Sequence, residues 1–313
     1  MNKKINLLIL IFFISHTVFS QSKEEPITLT TKTGDIQGSL YIADSTQVTP
    51  VVLIIAGSGP TDRNGNNPMM VNNSLKLLAE GLSKKGIASI RFDKRGIAES
   101  KNAVVKEADL RFENYINDVK EWCNFIKKDS RFSNLIIVGH SEGSLIGMIA
   151  SQDEKVNKFI SLAGAGFPAG EILKQQLEEQ PPLVLEMSLP IIEKLEKGEI
   201  VNNPPQMLSA LFRPSVQPYL ISWFKYNPQL EISKLNIPIL IIQGTTDIQV
   251  SIQDAEMLSE SSKNAKKVII KNMNHVLKEA DVDRTKNIQT YSNPKLPLIE
   301  GLITSIVKFI NQD

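Results

Sequence analysis

Gly139-His140-Ser141-Glu142-Gly143 sets a serine two residues from a glycine on either side. This G-x-S-x-G spacing suits a strand that turns abruptly into a helix and projects the serine hydroxyl from the turn. LIIV before it supplies the strand and SLIGMIA after it the helix, with Gly143, Ser144 and Gly147 allowing close packing. The amino end of such a helix also favours negative charge developing on a reacting carbonyl. The chemistry on offer is attack of a serine hydroxyl on an acyl carbon, and an unassisted serine needs a base for it.

The chain has three histidines, so the base is found by elimination. His16 falls in an apolar leader, and His140 belongs to the turn, where its side chain is expected to point away from that of Ser141. His275 is left, late in the chain after KKVIIKNMN. It needs a carboxylate to fix its tautomer and stabilise the imidazolium. Asp247, in ILIIQGTTDIQV, gives the chain order Ser, Asp, His. Asp254, Asp281 and Asp283 compete, but the first sits in a helical pattern and the others follow the histidine.

Two backbone N–H groups must meet the oxyanion. Glu142, next after the serine, supplies one. The loop Ala56-Gly57-Ser58-Gly59-Pro60 supplies the other, with Ser58 the first choice and Gly59 the second.

Cys123 is the one cysteine, which excludes an intramolecular disulfide. Ile116, Val119, Cys123 and Ile126 recur at helical spacing, so the thiol reads as part of a buried helix face. No Cys/His cluster has the spacing of a zinc site. With 35 basic against 34 acidic residues and no basic run, nucleic acid is not an expected partner.

These side chains need a scaffold. Residues 26–44 read as two strands joined at Gly34 and Asp35. After them, VVLIIAG, IASIRFD, LIIVG, FISLAG, ILIIQG and VII are continuous apolar runs, the mark of strands buried on both faces of a parallel sheet. Helical patterns between most of them predict an α/β fold, a mostly parallel sheet with helices on both sides. Between Gly166 and Leu235 no strand pattern occurs, only helical pieces broken by prolines. A helical cap insertion at about 167–234, over the sheet edge where ligands bind, fits this interval.

The first twenty residues place Lys3 and Lys4 before a short apolar stretch, which reads as a signal peptide cut near Ser20 or Gln21. The expectation is an exported chain, periplasmic or secreted, with its main domain over 21–313 and no membrane span after removal of the leader.

The chain resembles the α/β-hydrolase superfamily from about Gly34 to its end. The GHSEG pentapeptide, Asp247, His275, the GSGP loop and RFDKRGIAES at 91–100 carry the resemblance. In that last motif Ala98 stands where many members have a second glycine. GSGPTDRNGN and NMNHVLKEA look like a bacterial carboxylesterase-like branch, grouped with the serine aminopeptidase-type hydrolases. The resemblance implies a cap between the sixth and seventh core strands and neither metal nor organic cofactor. Where its members usually carry a histidine before the oxyanion glycine, this chain has Ala56.

The reading that follows is a serine hydrolase acting on small-molecule acyl esters through Ser141, His275 and Asp247, with the Ser58 and Glu142 amides as oxyanion donors. An aminopeptidase using Glu142, Glu186 or Glu193 for the substrate amine, a thioesterase or acyltransferase, and a non-catalytic binding protein are the alternatives. Asp62, Arg63 and Asn64 read either as substrate contacts or as a hydrogen-bonded loop. Asp93 and Arg95 read as loop braces, and Trp223, Phe224 and Tyr226 as cap core or acyl-pocket lining.

Overall fold

The computed structural model describes residues 23–42, 47–103, 106–152 and 155–312. The leader at 1–20 lies outside the described residues.

The strands β1 (Lys23–Thr31), β2 (Gly34–Ile42), β3 (Thr49–Ile55), β4 (Ala88–Phe92), β5 (Phe132–His140), β6 (Lys158–Leu162), β7 (Ile239–Gly244) and β8 (Ala265–Ile270) form one sheet. Its order is β1-β2-β4-β3-β5-β6-β7-β8. Pairing is antiparallel for β1 with β2 and β2 with β4, and parallel from β4 onward. The first hairpin turns two residues earlier than its sequence suggests. Thr31 pairs with Gly34, so Lys32 and Thr33 make the turn. Gly34 instead opens β2 at φ +123°, where a Cβ would lie 2.6 Å from the Asn102 carbonyl oxygen. Its glycine serves close packing, not the turn.

The continuous apolar runs have their physical reason in the two layers flanking the sheet. Val51, Leu53, Ile55, Leu135 and Ile137 face one side, joining α2 (Phe112–Lys127) and α3 (Glu142–Ala150). Val52, Ile54, Ile136 and Val138 face the other, against α1 (Ser74–Ser83) and, at the far end of the chain, Leu302, Ile306 and Phe309. Both faces of β3 and β5 are thus apolar. Cys123 is buried on α2 in the first layer.

Between β6 and β7 the chain is helical: α4 (Ala169–Glu178), α5 (Pro182–Glu196), α6 (Ser209–Phe212), α7 (Gln217–Phe224) and α8 (Pro228–Ser233). It is tied to the body by specific bonds. The Phe112 N–H donates to Ser222 Oγ at 2.8 Å, and the Trp223 ring stacks on Phe112 with centroids 5.9 Å apart. Among the described residues, no helix is long and apolar enough to cross a membrane.

Candidate active site

Ser141 lies between β5 and α3, at φ 55° and ψ −122°, a region that L-residues avoid. The sequence enforces that turn. A Cβ at Gly143 would stand 2.5 Å from the Ile55 carbonyl oxygen, and one at Gly139 would overlap the Gly143 carbonyl. Only glycines let the two chain segments approach so closely. The central position of β5, between β3 and β6, holds the turn at the carboxyl edge of the sheet.

Asp247 follows β7 and His275 follows β8, which brings them together at the same edge. His275 Nδ1 donates to Asp247 Oδ2 at 2.8 Å. The other carboxylate oxygen accepts the Gln249 and Val250 N–H groups at 2.8 and 3.0 Å. Burial opposes ionisation of Asp247, but the imidazole and these amides outweigh it and hold its carboxyl below the usual range. Since Nδ1 donates to a carboxylate, the neutral His275 ring presents an unprotonated Nε2. The Ser141 hydroxyl makes no hydrogen bond among the described residues; it lines the cavity described below.

His140 has a structural task not evident in the sequence. Its ring lies 4.9 Å from that of His275, and its Nε2 donates to the His275 carbonyl at 2.8 Å. Burial, with the neighbouring histidine, lowers its pKa to about 4, so the ring is neutral and supports the His275 backbone.

The competing carboxylates are engaged elsewhere. Asp254 caps its own helix through Ser251 and accepts the Gly166 N–H at 2.8 Å. Asp281 faces Lys286, and Asp283 caps the helix Arg284–Thr290.

Gly57 approaches the turn so closely that a Cβ there would be 3.1 Å from the Ser141 Cβ. Ser58, Gly59, Ser141 and Glu142 all line a single cavity of about 770 Å³ between the sheet edge and the cap. That volume is ordinary for a small-molecule site. Its apolar wall includes Leu145, Phe167, Leu173, Leu220 and Trp223. Phe224 and Tyr226 pack into the core instead, where Tyr226 donates to Glu113 at 3.0 Å. Burial, with that bond, pushes the Tyr226 phenol up to about 12.

The Glu142 side chain does not face solvent. It is buried against Lys94 Nζ at 3.2 Å and accepts the Tyr219 hydroxyl of α7. Burial, reinforced by the Glu142 charge, raises the Tyr219 pKa well above its ordinary value, so its hydroxyl stays a donor. Lys94 stands inside RFDKRGIAES without a role assigned from that motif, and Tyr219 belongs to no motif. Asp93 pairs with Arg63 at 2.8 Å and not with Arg95, which pairs with Asp118. The Asp62–Asn66 loop is likewise held internally, the Asp62 carboxylate accepting two of its N–H groups. Among the described residues, no cluster of His, Cys, Asp or Glu is arranged to hold a metal ion.

A mostly parallel sheet, a strained serine at the strand-to-helix turn, and an Asp–His pair on the following loops make up an α/β-hydrolase fold, and the chain is similar to esterases of that fold. The family model for serine aminopeptidases of the S33 type (Hydrolase_4) matches residues 72–209. Esterase EstD of Thermotoga maritima is 28% identical over 249 residues, 77% of this chain. The chain spans 58% of the length of that relative. Among solved structures, Est1E from Butyrivibrio proteoclasticus with ferulic acid bound superposes with a TM-score of 0.60 at 17% identity, covering 91% of this chain and all of that one. The Pyrococcus furiosus esterase Pf2001 gives 0.57 at 14% identity, covering 92% of each.

Proposed function

We propose that the protein is a serine esterase that cleaves small carboxylic esters through an acyl-enzyme. Ser141 Oγ attacks the ester carbonyl carbon while His275 Nε2 takes its proton. The tetrahedral oxyanion rests on the Ser58 and Glu142 N–H groups. The intermediate collapses as His275 returns the proton to the departing alkoxide, and the alcohol leaves. Water, deprotonated by His275, then attacks the acyl carbon, and His275 gives that proton to Ser141 Oγ as the carboxylic acid departs. Asp247 keeps the imidazole in the required tautomer throughout.

The observation carrying this reading is the strained Ser141 on the wall of a largely apolar cavity, with the buried Asp247–His275 pair on the adjoining loops. Aminopeptidase action finds less support. The acidic residues on the cavity wall, Glu107 and Glu142, already pair with Arg213 and Lys94, and neither Glu186 nor Glu193 lines it. A substrate ammonium group would have to displace one of these partners.

The test is hydrolysis of a chain-length series of p-nitrophenyl esters beside aminoacyl p-nitroanilides. Ester turnover lost by at least about 10³-fold in Ser141→Ala is the expected result. Anilide turnover alone would move the assignment to a peptidase, and activity retained without Ser141 would refute the mechanism. The amino-terminal sequence supports export to the periplasm or beyond; a mature protein beginning near Ser20 or Gln21, read by amino-terminal sequencing from the native host, is the corresponding outcome.

A further inference from the structure

A buried ammonium joins the two segments that supply the oxyanion donors. Lys94 follows β4, and its side chain is 2% exposed. Its Nζ donates to the Gly57 carbonyl at 2.6 Å and to Glu142 Oε2 at 3.2 Å, and it lies 5.0 Å from the centre of the Tyr115 ring. The other Glu142 oxygen accepts the Tyr219 hydroxyl from the cap.

The Gly57 carbonyl and the Ser58 N–H belong to one peptide unit. No described peptide bond is cis, so the N–H points opposite to the carbonyl. Anchoring the oxygen therefore fixes the direction of the hydrogen. Drawing electron density toward that oxygen also makes the N–H a stronger donor. The second donor is the main-chain N–H of Glu142, whose own side chain is held by the same ammonium. A buried ion pair is a poor device for stability alone, since an apolar pair of equal volume often does as well.

We infer that Lys94 is a positioning residue that aligns both oxyanion donors, and that Tyr219 couples the cap to this alignment. The inference rests on the serine-esterase reading above. Because the ammonium is engaged by the Gly57 oxygen and Glu142, its loss is expected to weaken transition-state binding and to leave ground-state binding nearly intact.

The experiment compares kcat, KM and the affinity for an alkyl boronic acid, which forms a tetrahedral adduct with an active serine, in Lys94→Met, Tyr219→Phe and the double variant Lys94→Met/Glu142→Gln. Thermal unfolding confirms that each is folded. Lys94→Met is expected to lower kcat and boronate affinity together by about 10²-fold with KM within about 3-fold, the scale of losing one oxyanion donor. Tyr219→Phe is expected to lower both by about 5-fold. The double variant removes both buried charges, so it tolerates the loss of Lys94 should the single variant fail to fold. Its kcat stays low if Lys94 acts through the Gly57 carbonyl. Recovery of kcat in the double variant would reduce Lys94 to a counter-charge for Glu142 and overturn the inference, as would unchanged boronate affinity. Turnover surviving in Ser141→Ala would overturn the esterase reading and this inference together. Turnover lost there but unmoved in the Lys94 variants would overturn the alignment alone.

Discussion

His140 makes the stability of the site depend on acidity. Its ring is neutral because burial lowers its pKa to about 4, against 6.5 for an exposed histidine. Between those two values the unfolded chain binds more protons than the folded one, so stability rises with pH across the window. The contribution is complete above about pH 6.5 and lost as pH falls toward 4, by up to about 3 kcal/mol. Asp247 acts in the same direction at lower pH, its depressed carboxyl stabilising the fold above its unfolded value and ceasing to do so as it protonates. Urea unfolding at pH 7 and pH 4.5 should therefore show a smaller loss of stability on acidification in His140→Gln than in the parent. Equal losses in both would contradict the role assigned to this ring. Elimination among three histidines pointed to His275 with Asp247, and the structure pairs these two at 2.8 Å; Ser141 as their nucleophile remains the proposal. The sequence did not reveal the surroundings of Glu142, because Lys94 and Tyr219 stand 48 and 77 residues away and only the folded sheet and cap bring them together.

At the level of elements, the apolar runs announced β3 to β7 because a parallel sheet covered on both faces admits little else, whereas β8, read in the same way, is an edge strand with Lys266, Lys267 and Ile269 exposed. The first hairpin was less legible: a glycine normally marks a turn, and here Gly34 is demanded by the close approach of Asn102 and Ala103. The loop after β4 shows the reverse case. Ala98 lies at φ +43°, the left-handed region in which a side chain costs about 1–2 kcal/mol. Glycine, usual there in related loops, removes that strain but gives back about 0.5–1 kcal/mol in chain entropy. Ala98 is exposed, so no packing is lost. Ala98→Gly should raise the melting temperature by about 1–4 °C with kcat unchanged. A fall in melting temperature would show that the loop tolerates the alanine without strain.

Across the whole molecule, the cavity is a joint product of body and cap. Leu145 comes from the helix after Ser141, whereas Leu173 and Leu220 come from α4 and α7. Cap position was visible in the sequence as an interval without strands, but the shape of the pocket was not, because helices broken by prolines do not reveal how they dock. Filling the cap side of the cavity with Leu173→Trp should cut kcat/KM for octanoyl esters by at least about 10-fold while the acetyl ester stays within about 3-fold. A uniform loss across chain lengths would place the acyl chain elsewhere. The cap also reaches Glu142 through the Tyr219 hydroxyl, and under the proposed mechanism its helices then bear on the rate of the chemical step as well as on the choice of substrate.

The central claim is that Ser141 is the nucleophile activated by His275. Its most direct measurement is intact mass and peptide mapping after reaction with an alkyl fluorophosphonate. The account predicts one adduct per chain, on the peptide bearing Ser141, with labelling slowed by at least about 10³-fold in His275→Gln. A label on any other residue, or labelling at an unchanged rate without His275, would contradict it.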